Sequence, residues 1–68
     1  MEYQQRLRDL REDADLTQKE IAELLQTTQQ YYGQYELGKR ELPIHQLIKL
    51  SQIYETTTDY ILGLTDVR

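Results

Sequence analysis

The chain has 68 residues, enough for one small core and too few for a second domain that could frame an active-site cleft. With 38% hydrophobic and 29% charged residues it falls in the soluble globular class, and with no cysteine it lacks a disulfide framework and a thiolate metal site. The net charge of −4, from 12 acidic and 8 basic residues, argues at first against a polyanionic partner.

The start, MEYQQRLRDL, has no apolar core of a signal peptide, and no apolar run approaches the roughly 18 residues of a bilayer span. A cytoplasmic chain folding as a single domain over residues 1–68 is therefore expected. Tyr3, Leu7, Leu10 and Ala14 recur at i, i+4, i+7 and i+11, the apolar stripe of a first helix that stops near Asp13 or Ala14. Asp15 tolerates a left-handed turn after it. In Leu16-Thr17-Gln18-Lys19-Glu20-Ile21, Thr17 and Glu20 have capping-box spacing and Leu16 and Ile21 that of a hydrophobic staple. A second helix is read from about Gln18 to Leu25, with Ile21, Ala22, Leu24 and Leu25 apolar.

Thr28 caps a third helix from Gln29 to about Leu37, which Gly38 ends. Pro43 suits the first turn of a fourth, whose apolar positions are Ile44, Leu47, Ile48, Leu50, Ile53 and Tyr54. Thr57 caps a short fifth helix, Thr58 to Leu62, with Asp59 at the positive end of its dipole and Gly63 closing it. No segment alternates with period two for long enough to be a strand. The expected fold is all-α, with five helices.

The third helix has two sides. With Gln29 at zero and 100° per residue, Gly33, Leu37, Gln30 and Gln34 follow at about 40°, 80°, 100° and 140°. Thr28, Tyr32 and Tyr35 take the opposite side, with Glu36 at its edge and Tyr31 on the boundary. A glutamine amide offers a donor and an acceptor in one plane, the pattern that pairs with adenine N6 and N7 in the major groove. Gly33 inside a helix costs about 0.8–1 kcal/mol relative to Ala, and close approach to a partner would give it a reason. The charge also divides unevenly. Residues 1–15 carry Glu2, Asp9, Glu12, Asp13 and Asp15 against Arg6, Arg8 and Arg11, while residues 24–40 carry only Glu36, Lys39 and Arg40.

A capped helix, a short turn and a second helix with a polar outer face, at about residues 17–37, make a helix-turn-helix. Gln18-Lys19-Glu20-Ile21-Ala22, then Leu25, Tyr32, Tyr35-Glu36, Gly38 and Pro43, resemble the Cro/repressor class, the Xre-like family of bacterial and phage regulators. The match runs from Leu7 to Gly63. It implies the compact five-helix fold of the lambda repressor type and a sequence-specific transcriptional regulator, with repression the expected mode.

The TTQQ of residues 27–30, with Gln34 beyond it, is similar to lambdoid phage repressors, whose glutamines read bases; this puts Gln29, Gln30 and Gln34 in the major groove. Gln18 matches a residue that contacts a DNA phosphate and braces the first recognition glutamine. Candidates for contact with the DNA backbone are Thr17, Gln18, Thr28, Tyr31, Lys39 and Arg40. Arg11 and Glu36 match an internal ion pair between the first and third helices.

The departures are Gln26, where the family often has Gly, a weakly basic loop of Lys39, Arg40, Glu41 and Leu42, and Ile44 in place of an arginine that reaches the minor groove. If two or three cations per subunit neutralise phosphates, the log–log salt slope is about −2 to −3 per subunit. Such modest attraction points to a homodimer on a near-palindromic operator of double-stranded DNA, with Tyr60, Ile61, Leu64 and Val67 as candidates for the dimer surface. These same residues could instead complete the core.

His45 is the only histidine and reads as a surface residue, and Glu12, Asp13 and Asp15 read as a solvated helix end. No metal, cofactor or membrane partner is expected, and no catalytic arrangement can be proposed. The rival reading is an antitoxin-like or adaptor module that docks a protein on the acidic helix surfaces.

Overall fold

The computed structural model describes residues 3–68 and contains, among them, five helices and no strand. Glu2, one of the amino-terminal acids, lies outside the described residues. The helices are α1 (Tyr3–Asp13), α2 (Gln18–Leu24), α3 (Gln29–Leu37), α4 (Ile44–Ile53) and α5 (Thr58–Ile61).

Side chains placed next to the starts of α2, α3 and α5 explain their limits. Thr17 Oγ1 accepts from the Glu20 amide at 3.1 Å while Glu20 Oε1 accepts from the Thr17 amide at 2.9 Å, the reciprocal capping box. Thr28 and Thr57 hydroxyls accept from the Tyr31 and Tyr60 amides at 3.1 and 3.0 Å. Pro43 stands just outside α4 rather than in its first turn, with ψ 151°, and its carbonyl accepts from the amides of Gln46 and Leu47. Leu25, Tyr54 and Leu62 each follow the last helical residue, one position short of the expected ends.

Left-handed residues separate the helices: Asp15, Gln26 and Glu55, with φ of 58°, 60° and 52°. Only Asp15 and Gln26 are foreshadowed by the sequence. Because Gln26 is exposed and strained by its Cβ, Gln26→Gly should gain up to about 1 kcal/mol, less the added entropy of the unfolded chain. Thermal unfolding should show a rise of a few degrees, roughly 4–8 °C per kcal/mol in a domain of this size.

Apolar stripes then pack. α3 lies against α2 and α1, and α5 lies against α4 and α1. Leu7, Leu10, Ile21, Ala22, Leu25, Tyr32, Tyr35, Leu50, Tyr54 and Ile61 form the core, with Leu16, Leu47 and Ile53 packed around it. Tyr32 and Tyr35 meet edge to face, their centroids 6.0 Å apart, a geometry that adds about 0.5–1.5 kcal/mol to burial.

Cross-links close the remaining gaps. Gln46 Nε2 donates to the Leu25 carbonyl (3.3 Å), and the Leu42 amide donates to Tyr3 Oη (3.0 Å). Arg6 Nη1 donates to the carbonyls of Tyr60 and Thr65, Arg6 Nη2 pairs with Asp66 at 2.7 Å, and the guanidinium lies 4.1 Å from the Tyr60 ring centroid.

Two expectations about this end of the chain change. Ile61 is a core residue with no exposed surface, so it cannot belong to a dimer surface, and Tyr60 is half-buried beneath Arg6. Leu64 and Val67 stay exposed, at 62% and 75%. Ala14, Leu24, Ile44 and Ile48, read as apolar stripe positions, are exposed as well, because α1 ends before Ala14 and no element among the described residues packs over the other three.

Candidate nucleic-acid interface

Helix α3 is seated by Tyr32, Tyr35 and Glu36, all buried, and turns its other side to solvent. Thr28, placed with the core face by its helical angle, is exposed; it precedes the helix, and its contribution is the cap. On the outer side Gln18, Gln29, Gln30, Gly33, Gln34, Leu37 and Lys39 line one open groove of about 430 Å³. The turn between α2 and α3 thus brings the three glutamines together with Gln18. Gln29 and Gln30 are exposed and engage in no side-chain hydrogen bond among the described residues, so both amides keep their donor and acceptor. Gln34 is half-buried and its Oε1 accepts from Arg40 Nε at 3.1 Å.

The floor of the groove is electrostatically settled from inside. Arg11 Nε and Nη2 donate to the two oxygens of Glu36 at 2.8 and 3.3 Å, a bidentate pair, and Arg11 Nη1 donates to the Leu16 carbonyl at 2.9 Å. Gln18 Nε2 donates to Glu36 Oε1 at 3.2 Å, and Arg8 Nε lies 3.7 Å from the same oxygen. Gln18 therefore braces Glu36 in this structure, not Gln29. Since Glu36 is the one acid in residues 24–40, its pairing leaves Lys39 and Arg40 as the charges of that segment without an ion-pair partner among the described residues.

The Tyr32 hydroxyl neighbours the Glu36 carboxylate, yet it is buried without a hydrogen bond of good geometry, as are the Tyr54 hydroxyl and Thr56 Oγ1. Arg11 and Gln18 are the partners that hold the carboxylate. Burial alone would raise the Glu36 pKa, but the bonds from Arg11 and Gln18 and the Arg11 charge outweigh it and bring it below the ordinary 4.5.

A lowered folded-state pKa means stability that is complete above pH 4.5 and is lost as the pH falls through the folded value. Acid unfolding followed by circular dichroism should accordingly begin below pH 4.5, and Glu36→Gln should flatten that limb. Burial pushes Tyr32 well above, and Tyr54 up to about 12 from, the ordinary 10.0. Their contribution is complete below pH 10 and disappears above it.

Other expected contacts have definite places. Thr17 and Thr28 use their hydroxyl oxygens as caps, which leaves each hydroxyl proton free to donate. Tyr31 is exposed on the rim, its ring edge-on to Tyr35 and covered on one side by Arg40. An ideal Cβ at Gly33 would sit 3.5 Å from Gln18 Oε1, ordinary van der Waals contact, so nothing inside the fold demands glycine there. His45 is exposed, and no group of His, Cys, Asp and Glu able to hold a metal occurs among the described residues. No helix among the described residues is long and apolar enough to cross a membrane. Leu37 lies in the groove with the glutamines, as its helical angle places it, whereas the Arg40–Gln34 bond escapes a sequence reading because it depends on how the loop after Gly38 folds back.

A family model described as helix-turn-helix matches residues 7–61. The chain is 42% identical over 64 residues to the uncharacterized HTH-type transcriptional regulator YobD of Bacillus subtilis (strain 168), covering 94% of this chain and 57% of that protein. It is 39% identical over 67 residues to the HTH-type transcriptional regulator ImmR of the same organism, covering 98% and 53%. To the SPbeta prophage-derived regulator YonR it is 38% identical over 60 residues, covering 88% and 56%. The chain thus spans little more than half the length of the curated relatives it matches. No solved structure matches it significantly.

Proposed function

The chain belongs to the Xre-like helix-turn-helix family, and from that premise we propose that it is a sequence-specific reader of double-stranded DNA in a cytoplasmic transcriptional regulator, acting as a repressor by occupying its operator. The observation that carries the reading is the groove of α3, where Gln29 and Gln30 present unpaired amides beside Gly33 on a helix anchored from behind by Tyr32, Tyr35 and the Arg11–Glu36 pair. Amide pairs of this kind match base edges, while the free hydroxyl protons of Thr17 and Thr28, with Tyr31, Lys39 and Arg40, surround the groove at positions suited to phosphates. Gly33 supports the same reading. Its missing Cβ has no tenant inside the fold, which leaves close approach of the helix backbone to the DNA as the use for it.

Two uncompensated cations per subunit supply little phosphate attraction, so the reading includes a homodimer on a near-palindrome whose half-sites lie about 34 Å apart. Leu64 and Val67 are the exposed apolar residues offered for pairing. Selection of binding sites from random duplexes is the test. It should recover a two-fold symmetric sequence; recovery of no preferred sequence by folded protein would overturn the proposal.

A further inference from the structure

The backbone beyond α3 doubles back on the helix. Gly38, at φ 77°, closes it; the Gly38 amide donates to the Tyr35 carbonyl, and the amides of Lys39 and Arg40 donate to that of Gln34 at 2.9 and 3.3 Å. This return carries the Arg40 side chain over the outer face, where the guanidinium lies 4.5 Å from the Tyr31 ring centroid and Nε reaches Gln34 Oε1. Tyr31 is in turn held edge-on by the buried Tyr35, with centroids 5.8 Å apart. Arg40 therefore rests on an aromatic ring at the rim and has a partner in the groove.

A guanidinium only donates, so the atom of Gln34 that faces Arg40 must be the amide oxygen; one of its two lone pairs is taken and its direction is fixed toward Arg40, and the amide nitrogen with both hydrogens is the wholly free end turned to a ligand. An unrestrained glutamine amide suits adenine, which shows a donor beside an acceptor in the major groove. A donor-only group suits guanine, which shows two adjacent acceptors, N7 and O6. We propose that Arg40 is a positioning residue that sets the specificity of Gln34, turning its amide so that it reads guanine, while Gln29 and Gln30 keep both halves of theirs. The inference rests on the reading of Gln34 as a base contact. The remaining guanidinium hydrogens of Arg40 stay available to a phosphate.

Binding-site selections with the wild-type chain, Arg40→Met, Tyr31→Ala and Gln34→Ala test it. The base pair under Gln34 is the one whose preference vanishes in Gln34→Ala. Wild type should select guanine there; Arg40→Met and Tyr31→Ala should both move that position toward adenine by about tenfold, within the roughly 5–150-fold that one bidentate contact discriminates. Equal loss of affinity for every sequence, with an unchanged profile, would make Arg40 a phosphate contact only and overturn the inference while the base-reading role of α3 stands. A wild-type selection without any preferred sequence would bring down both. In the free protein, the side-chain amide resonances of Gln34 should shift in Arg40→Met; if they do not move, the inference fails without touching the rest.

Discussion

Glu36→Ala is expected to cost about 3–5 kcal/mol, because it leaves Arg11 as an uncompensated charge whose side chain is only 13% exposed. A folded chain of this length has roughly 3–10 kcal/mol of total stability, so the loss takes from about a third to all of it. Urea unfolding followed by circular dichroism should show a large fall in midpoint, or a chain already unfolded in buffer. The reason is the number of groups that converge on this carboxylate. Arg11 spans from α1 with two bonds, Gln18 adds one from α2, and Arg8 supplies further charge, so one side chain of α3 fastens all three helices behind the groove.

Arg11→Ala should be as damaging, since it strands the carboxylate in turn. Replacing both at once, Arg11→Met with Glu36→Leu, should recover much of the loss, because apolar side chains of similar volume avoid the desolvation cost of the pair. Equal damage from the single and double variants would mean a coupling between Arg11 and Glu36 as large as either single loss, so that the pair itself stabilises the fold and the apolar replacements do not make up for it.

What the sequence made legible follows from how local each signal is. Thr17 and Glu20 lie three residues apart and cap a helix that begins between them, so the capping box can be read without knowing the fold. Gln26 could be foreseen as left-handed through the family resemblance, which often puts glycine at that place in the turn. The sides of α3 could be separated because nine residues give two and a half turns of period. The four-residue α5 does not allow this: Ile61 joins the core because α5 packs on both α4 and α1, which only the assembled fold decides.

Ile44 and Ile48 fail for the opposite reason. Their spacing is that of a core stripe, but no element of the described chain covers it. The Arg11–Glu36 contact spans 25 residues and is visible in the sequence only through family resemblance. Net charge misleads in the same way. The acidic excess of the whole chain says little about α3, whose single acid is neutralised from behind.

Gln29→Ala should leave the fold intact and weaken binding to the selected operator by about 1–3 kcal/mol, roughly 5–150-fold, with preference relaxed at one base pair of each half-site. Stability should not fall. The side chain is exposed and engages no partner among the described residues, and alanine is the better helix former, so loss of affinity cannot be assigned to unfolding. Lys39→Ala is the informative contrast. A cation that meets a phosphate carries no base information, so its loss should weaken all sequences alike and lower the salt slope by about one. Gly33→Ala divides the same question by sterics, because its Cβ fits the free fold and should add about 0.8–1 kcal/mol of stability, yet would stand between the helix and a base edge. A more stable protein that binds its operator less well would place the DNA against the α3 backbone at Gly33; undiminished affinity in Gly33→Ala would mean that the helix stands off from the groove floor and reads it through the long glutamine side chains alone.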